Sequence, residues 1–315
     1  MRVCVGSLFA SVASLCLAAI VPASAQDAAA FYKSHKLTLG APSNAGGGYD
    51  TYMRALSRHV GRYIPGEPTI VVQNMPGASG LKATNWLYNV APKDGTTFGG
   101  TYNNLVIEPL LGDKSAQYDS QKFEWIGAMG KQYLTCSVWH GSDIMTIEDA
   151  MQRVVRVSTT GATGNSSRFP EMLNKLLGTK FQIISGYSTS GMRFALEQGE
   201  VEGICGFSFD TFSASNPEWI RDKKLRFILI EDDIPMLPGV PHLFPLVKNP
   251  LDLAAVKVLE VRDEVGRPHM YPPGVPKYLV AAMRRAFDAT MKDAKFLAEA
   301  TGANIFRSEE HTSEL

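Results

Sequence analysis

The chain carries, at residues 45–50, the stretch Ala45-Gly46-Gly47-Gly48-Tyr49-Asp50. It joins a short apolar run at residues 36–40 to an amphipathic segment at residues 51–63, an order that predicts a strand, a glycine-rich turn and a helix. Such a turn leaves backbone N–H groups unpaired at a helix N-terminus, where the helix dipole also favours negative charge. The stretch therefore predicts an anion-binding loop, with Asp50 capping the helix. Glycines that merely fit a tight turn are the alternative.

A nucleotide phosphate is not favoured as that anion. The loop has neither the GxGxxG pattern of dinucleotide-binding turns nor the Gly-Lys-Ser/Thr of phosphate loops. Lys+Arg and Asp+Glu both number 31, so there is no basic excess of the kind that nucleic-acid binding requires. We therefore expect a small anion and no nucleic-acid partner.

The two ends of the chain do not read as parts of the fold. Arg2 precedes an apolar run that extends to Ile20, and Ala23-Ser24-Ala25 provides an A-x-A cleavage pattern. We expect residues 1–25 to be a signal peptide cleaved near Ala25, with export to the periplasm; an N-terminal membrane anchor is the alternative. Residues 307–315 resemble the translation of a sequencing adapter, so we expect a non-native tail, with the native sequence continuing past Phe306.

Cleavage would remove two of the four cysteines, Cys4 and Cys16. Cys136 and Cys205 would then remain in an oxidising compartment, where either one disulfide or two buried thiols would suit them. Roughly 280 remaining residues are enough for two lobes by the usual domain-size range.

Apolar patterning predicts alternating strands and helices. Strands are predicted at residues 36–40, 69–73, 96–100, 123–130, 134–139, 155–159, 181–185, 203–209 and 225–230, and helices at 51–63, 81–90, 147–154, 169–177, 192–198 and 277–292. The proline-rich residues 235–252 are expected to lack regular structure. This alternation predicts a two-lobed α/β fold with mainly parallel sheets, which bind ligands at their carboxyl ends.

We assign residues 26–129 and 231–306 to a first lobe and residues 130–230 to a second, with a crossing at 130–133. The second lobe has its own glycine-rich turn after a strand, from Thr160 to Ser167. Its hydroxyl and amide side chains suit a carboxylate or ordered water, although an ordinary helix cap would look the same. Tyr187, at another strand end, is a candidate cleft hydroxyl.

Catalytic patterns are not found in the sequence. The six histidines are scattered, and neither GxSxG nor HExxH is present. No spacing of Cys, His, Asp or Glu suggests a metal site. We therefore expect no enzyme activity, no cofactor and no metal. A periplasmic enzyme that uses Cys136 or Tyr187 remains an alternative.

Five segments, in order, resemble the substrate-binding receptors of tripartite tricarboxylate transporters, also called TctC or Bug proteins. They are residues 45–50, 71–80 (VVQNMPGASG), 91–96 (APKDGT), 237–241 (LPGVP) and 272–276 (PPGVP). The resemblance spans about residues 31–306. It implies a periplasmic binding protein fold of type II in which two lobes close on a small organic carboxylate. It also implies a monomer that delivers this ligand to separately encoded permease subunits; a sensor read by a membrane kinase is the alternative.

By position, the resemblance places the ligand in five polar loops, at residues 43–50, 76–80, 101–103, 160–167 and 187–190. The implied binding residues are Ser43, Ala45, Gly46, Gly47, Gly48, Tyr49, Asp50, Ala78, Thr101, Asn103, Gly161, Thr163, Gly164, Asn165, Ser166 and Tyr187. Backbone N–H groups and water would hold the carboxylate.

Three positions depart from the family pattern. Ser43 stands where many members have an aromatic residue, and Ser167 where a histidine is frequent. An acidic residue that can bind an amino group in the family falls near Gly206 here and is lost. These departures favour a plain carboxylate over an amino acid. Asp210 could replace the lost acid or could be a turn residue.

Overall fold

The computed structural model describes residues 23–305. Its strands are β1 (Leu37–Ala41), β2 (Ile70–Asn74), β3 (Thr97–Gly100), β4 (Glu124–Met129), β5 (Leu134–Trp139), β6 (Val155–Thr159), β7 (Phe181–Ser185), β8 (Gly203–Ser208), β9 (Leu225–Ile230) and β10 (Arg267–Tyr271). Its helices are α1 (Ala23–Lys33), α2 (Gly48–Val60), α3 (Leu81–Asn89), α4 (Ile147–Gln152), α5 (Asn165–Leu176), α6 (Thr189–Glu197), α7 (Phe209–Ser215), α8 (Pro217–Arg221), α9 (Leu243–Leu246), α10 (Pro250–Glu264), α11 (Lys277–Met291) and α12 (Ala294–Gly302). The signal peptide and adapter-like tail predicted from the sequence lie almost entirely outside the described residues.

The strands form two five-stranded mixed sheets. The first has the order β2-β1-β3-β10-β4, with β10 antiparallel to both of its neighbours and the other pairs parallel. The second has the order β7-β6-β8-β5-β9, in which β5 is the antiparallel strand. This architecture confirms the predicted two-lobed α/β fold.

Each sheet is covered by the apolar faces of its helices. In the first lobe, Leu37 and Leu39 of β1 pack in one core with Leu56 of α2 and Met283 of α11. In the second, Val138 of β5 packs in a core with Phe169 and Leu173 of α5, among other residues. Burial of a side chain of this size stabilises the fold by about 1.5–3 kcal/mol, so these faces hold the helices on the sheets.

The segment predicted to be irregular, residues 235–252, contains α9 and the start of α10. Pro250 does not break α10 because it is the first residue of the helix, where no backbone N–H is needed. The Asn249 side chain caps this end by accepting a hydrogen bond from the Leu251 N–H at 2.8 Å. Helix α2 also differs from its prediction, since it begins at Gly48 rather than at residue 51.

The assignment of residues 231–306 to the first lobe is corrected for its first part. Leu243, Val247 and Val256 belong to the core of the second lobe, so the chain stays with that lobe after β9. It returns to the first sheet only at β10, which makes residues 265–266 the second crossing between the lobes. The prolines of this segment predicted irregular structure, whereas its apolar residues pack in a core.

The two crossings touch through glycine backbones. Gly130 and Gly266 have φ values of +65° and +52°, in the region that favours glycine. A Cβ on Gly266 would lie 1.4 Å from the Gly130 carbonyl oxygen, so no side chain fits there.

Cys136 of β5 and Cys205 of β8 are directly paired in the sheet and joined by a disulfide. Of the two alternatives that the sequence left open, the structure has the disulfide, and both cysteines lie within the second lobe. In residues 23–305, no helix combines the length and apolar character that a membrane span requires.

Candidate functional site

A cavity of about 70 Å³ lies between the lobes, next to the crossings. A water molecule needs about 10–15 Å³ of such space, so the cavity has room for a small organic molecule. It is lined by residues of both lobes: Ser43, Gly48, Tyr49, Tyr102, Asn103, Asn104, Gln132, Leu134, Thr160, Gly164, Asn165, Ser166, Thr189, Gly206, Phe207, Ser208, Thr211 and Arg267. A wider outer cleft of about 320 Å³ shares Ser43, Tyr102, Thr160 and Thr189 with it.

Two long helices begin at this cavity, one from each lobe. Helix α2 starts at Gly48 and α5 at Asn165, and their preceding glycines provide no side-chain cap. Within the described part of the chain, the backbone N–H groups of Gly48, Tyr49, Asn165 and Ser166 make no hydrogen bond. Both termini therefore offer free donors together with the positive end of a helix dipole.

Arg267, the first residue of β10, brings a positive charge to the same cavity. Arg267 is only 1% exposed. One nitrogen, Nη2, donates to Asp210 Oδ2, and the guanidinium lies over the rings of Tyr49 and Tyr52, with its Cζ 4.7 and 4.6 Å from their centroids. Nε and Nη1 have no partner among the described residues. A buried guanidinium with two unsatisfied nitrogens is costly by itself, so the geometry suits an anion in the cavity.

Asp210 is occupied by this arginine rather than exposed to a ligand. Its Oδ2 accepts hydrogen bonds from Arg267 and, at 2.7 Å, from the Tyr52 hydroxyl. Burial opposes the charge of Arg267, but Asp210 outweighs it and raises the arginine pKa. Asp210 is fully buried and does not line the cavity. It is therefore an ion-pair partner in α7 and not a turn residue.

No acidic side chain fits at Gly206. Its φ is +69°, and a Cβ there would lie 2.2 Å from the Asn165 carbonyl oxygen. The close approach of β8 to the start of α5 explains why this position has no group that could bind an ammonium.

Tyr49 connects the cavity to both crossings. Its hydroxyl donates to the Gly266 carbonyl at 3.2 Å and accepts from the Asn103 N–H at 2.9 Å and from Gln132 Nε2 at 2.7 Å. Burial raises the pKa of Tyr49 well above its usual range, so the phenol stays neutral. Asn165 joins this network from the second lobe by donating to Asn103 Oδ1 at 3.1 Å.

The structure places the predicted binding residues in three groups. The cavity is lined by Ser43, Gly48, Tyr49, Asn103, Gly164, Asn165 and Ser166. Ala78 and Tyr187 line the outer cleft, where the Tyr187 hydroxyl donates to the Glu200 carboxylate. The residues that line neither space are Ala45, Gly46, Gly47, Asp50, Thr101, Gly161 and Thr163.

Several residues of the third group shape the site without lining it. Asp50 accepts the Gly46 N–H at 2.9 Å and forms an ion pair with Arg54, which fixes the glycine turn. Burial opposes its charge, but the hydrogen bonds from Arg54 and Asn74 lower the pKa of this carboxyl. Thr163 bridges the lobes, since its hydroxyl donates to the Ala78 carbonyl at 3.3 Å.

Arg267, Gln132 and Thr211 line the cavity but were not predicted from the sequence. Arg267 lies in a strand that the apolar pattern did not predict, and Gln132 lies in the crossing itself. The position of Arg267 between Gly266 and Pro268 was the available signal in the sequence.

Two α/β lobes around a cavity at their crossings form the fold of the two-lobed periplasmic binding proteins, and this chain has that fold. No protein-family model and no curated protein matches the sequence. Among solved structures, the periplasmic binding protein BugD has 22% identity and a TM-score of 0.70, covering 86% of this chain and 87% of that chain.

Two further solved structures extend this likeness. MatC from Rhodopseudomonas palustris with bound malate has 19% identity and a TM-score of 0.69, covering 86% of this chain and 89% of that chain. A TctC solute binding protein from Polaromonas, solved with no ligand, has 19% identity and a TM-score of 0.57, covering 88% of this chain and 91% of that chain. At these identities the likeness establishes the fold.

Proposed function

We propose that this chain is an exported solute receptor of the TctC/Bug family that binds a small organic carboxylate between its two lobes. The observation that carries the proposal is the buried Arg267, whose Nε and Nη1 lack partners beside a cavity where two helices begin. A carboxylate can accept from a guanidinium and from backbone N–H groups together, and its negative charge strengthens both kinds of hydrogen bond.

The further parts of the proposal rest on the sequence. The leader at residues 1–25 supports a periplasmic location, and the five family-like segments support delivery of the ligand to permease subunits of a tripartite tricarboxylate transporter. MatC with malate and another R. palustris protein with adipate, of similar fold, support a carboxylate as the class of ligand. A non-enzymatic role fits a Cys136 thiol consumed by a disulfide and a Tyr187 hydroxyl bonded to Glu200.

Calorimetric titration of the mature protein with a panel of organic acids tests this function. At least one acid should bind, raise the melting temperature by mass action and be recovered unchanged. Arg267→Met should weaken its binding at least about 30-fold, because a charge-assisted contact is lost. The matched control is Arg284→Met, which removes a half-buried arginine that donates to the Trp125 carbonyl outside the cavity.

Loss of folding in Arg267→Met would not end the test. The double variant Arg267→Met/Asp210→Asn also removes the charge of Asp210, so that no buried carboxylate is left unpaired. This variant should fold and show the same loss of binding. Unchanged affinity in a folded variant would contradict the proposal, as would chemical conversion of the bound acid.

A further inference from the structure

A chain of amide side chains links the backbone to the cavity and has only one consistent orientation. Asn103 Oδ1 accepts from the Asn104 N–H at 2.8 Å, while its Nδ2 donates to the Arg262 carbonyl at 3.2 Å. A backbone N–H can only donate and a backbone carbonyl can only accept, so these two groups fix which end of the Asn103 amide is oxygen.

Gln132 is fixed in the same way from the other side. The Tyr49 hydroxyl donates its single proton to the Gly266 carbonyl, so it can only accept from the Gln132 amide. Gln132 must therefore direct Nε2 to Tyr49 and Oε1 elsewhere. Both Asn103 and Gln132 then present an oxygen to Asn165, at 3.1 and 3.4 Å from its Nδ2.

Asn165 must consequently donate with its nitrogen and has its oxygen left over. Asn165 lines the cavity, and its Oδ1 is buried without a hydrogen-bond donor among the described residues. Flipping this amide would place oxygen against two oxygens, so the unpaired acceptor is not removed by exchanging its atoms. Two residues that line the cavity therefore have unpaired polar atoms, with two donors on Arg267 and one acceptor on Asn165.

We infer that the ligand is a hydroxy carboxylate, whose carboxylate pairs with Arg267 and whose hydroxyl donates to Asn165 Oδ1. This inference rests on the proposed function and adds the substituent that the site selects. An ammonium group could also donate to Asn165, but it would lie in the same small cavity as a guanidinium, and the carboxylate of Asp210 is already engaged by that guanidinium. A neutral hydroxyl meets the same acceptor without charge repulsion.

Matched pairs of acids test the inference. Dissociation constants are measured for lactate and propionate, malate and succinate, and 3-hydroxybutyrate and butyrate. The hydroxylated member of at least one pair should bind at least about tenfold more tightly, because its parent leaves a buried acceptor unsatisfied. Equal affinity within every pair would overturn the inference and leave the proposed carboxylate receptor standing. Failure of all acids to bind would overturn both.

Variants assign the preference to its residue. Asn165→Leu should bring the affinity ratio of the selective pair to about 1, measured within the same variant so that changes common to both acids cancel. Asn89→Leu is the matched control, since it makes the same change at an exposed asparagine outside the cavity, whose amide donates to the Gln117 carbonyl at 2.8 Å. A ratio that survives Asn165→Leu, or collapses in Asn89→Leu, would overturn the role of Asn165.

Discussion

Arg267 uses only part of its guanidinium within the protein. Asp210 accepts from Nη2, while Nε and Nη1 have no partner among the described residues. A planar guanidinium can do this because its donors point in different directions, whereas an ammonium is a single compact charge on a flexible stem. The identity of the cation at this position therefore matters, and not only its charge.

Arg267→Lys is expected to keep the ion pair with Asp210 but to weaken binding of the selected acid about tenfold or more. Titration calorimetry gives the affinity, and thermal unfolding of the free protein checks that the ion pair is retained. Wild-type affinity in the lysine variant would show that charge alone is sufficient.

His269, two residues along β10, is fully buried next to Phe287. Burial lowers its pKa from 6.5 to about 4, so the ring is neutral in the folded protein at neutral pH. The unfolded chain binds a proton below pH 6.5, which the folded protein takes up only near pH 4. Stability should therefore fall as the pH drops through this window.

At about 1.4 kcal/mol per pH unit, that window corresponds to about 3 kcal/mol of acid destabilisation. His269→Leu should remove this part of the pH dependence, measured by urea unfolding at pH 7 and pH 4.5. His35→Gln, at an exposed histidine, is the control. An unchanged pH dependence in His269→Leu would contradict the assignment.

At the scale of elements, two buried carboxyls meet where β9 ends and α10 ends. Glu231 and Asp263 are 2% and 1% exposed. The Glu231 N–H donates to the Leu134 carbonyl at 3.0 Å, and the Asp263 carbonyl accepts from the Gln132 N–H at 2.9 Å. Burial and the neighbouring charge of Asp263 raise the pKa of Glu231 well above its usual range, and burial also raises the pKa of Asp263 despite Arg262.

A raised folded-state pKa contributes stability below the unfolded value, and that contribution is lost as the pH rises through the folded value. Glu231→Gln keeps the shape without the second charge. We expect it to raise the melting temperature by about 2–4 °C at pH 8, corresponding to about 1 kcal/mol, with a smaller gain at pH 5. Melting curves at the two pH values measure this. A variant that is less stable at both would contradict the charge argument.

Buried charged residues limited what could be predicted from the sequence. Strands and helices with regular apolar spacing, such as β1, β6 and α11, were predicted to within one or two residues. Helix α10 was not, because it exposes Leu251 and Val258 and buries Arg262 and Asp263. Strand β10 was missed because it buries Arg267 and His269. Tertiary partners make such burial possible, and local periodicity contains no record of them.

At the scale of the molecule, the lobes are closed on each other. Asn104 Nδ2 donates to the Thr163 carbonyl at 2.6 Å, and Arg193 Nη2 donates to the Gly46 carbonyl at 3.1 Å. The glycine turn that predicted an anion loop thus also forms part of the contact between lobes. The contacts of this turn could not be predicted from its own sequence, because their partners lie in the second lobe.

Gly48→Ala should impede this closure. A Cβ at Gly48 would lie 2.4 Å from the Thr211 hydroxyl oxygen of α7, while the first turn of α2 accepts alanine readily. We expect affinity for the selected acid to fall about tenfold, with little change in the melting temperature of the free protein. Scattering measurements should show a smaller ligand-induced decrease in radius of gyration.

Gly302→Ala is the control for this variant, because a Cβ at Gly302, in α12, would have no neighbour within 4 Å. Wild-type affinity in Gly48→Ala would show that the lobes close without this contact.

Arg267 follows directly on Gly266, whose backbone touches Gly130 where the chain passes between the lobes. Arg267 begins β10 of the first sheet, and Asn165 begins α5 of the second lobe, so a rotation about that contact separates the two residues. If the carboxylate of a ligand binds Arg267 while the lobes are open, the Asn165 amide contacts the ligand only when they close. Substitution of Arg267 should then slow ligand association, and substitution of Asn165 should mainly speed dissociation, a difference that stopped-flow kinetics can resolve.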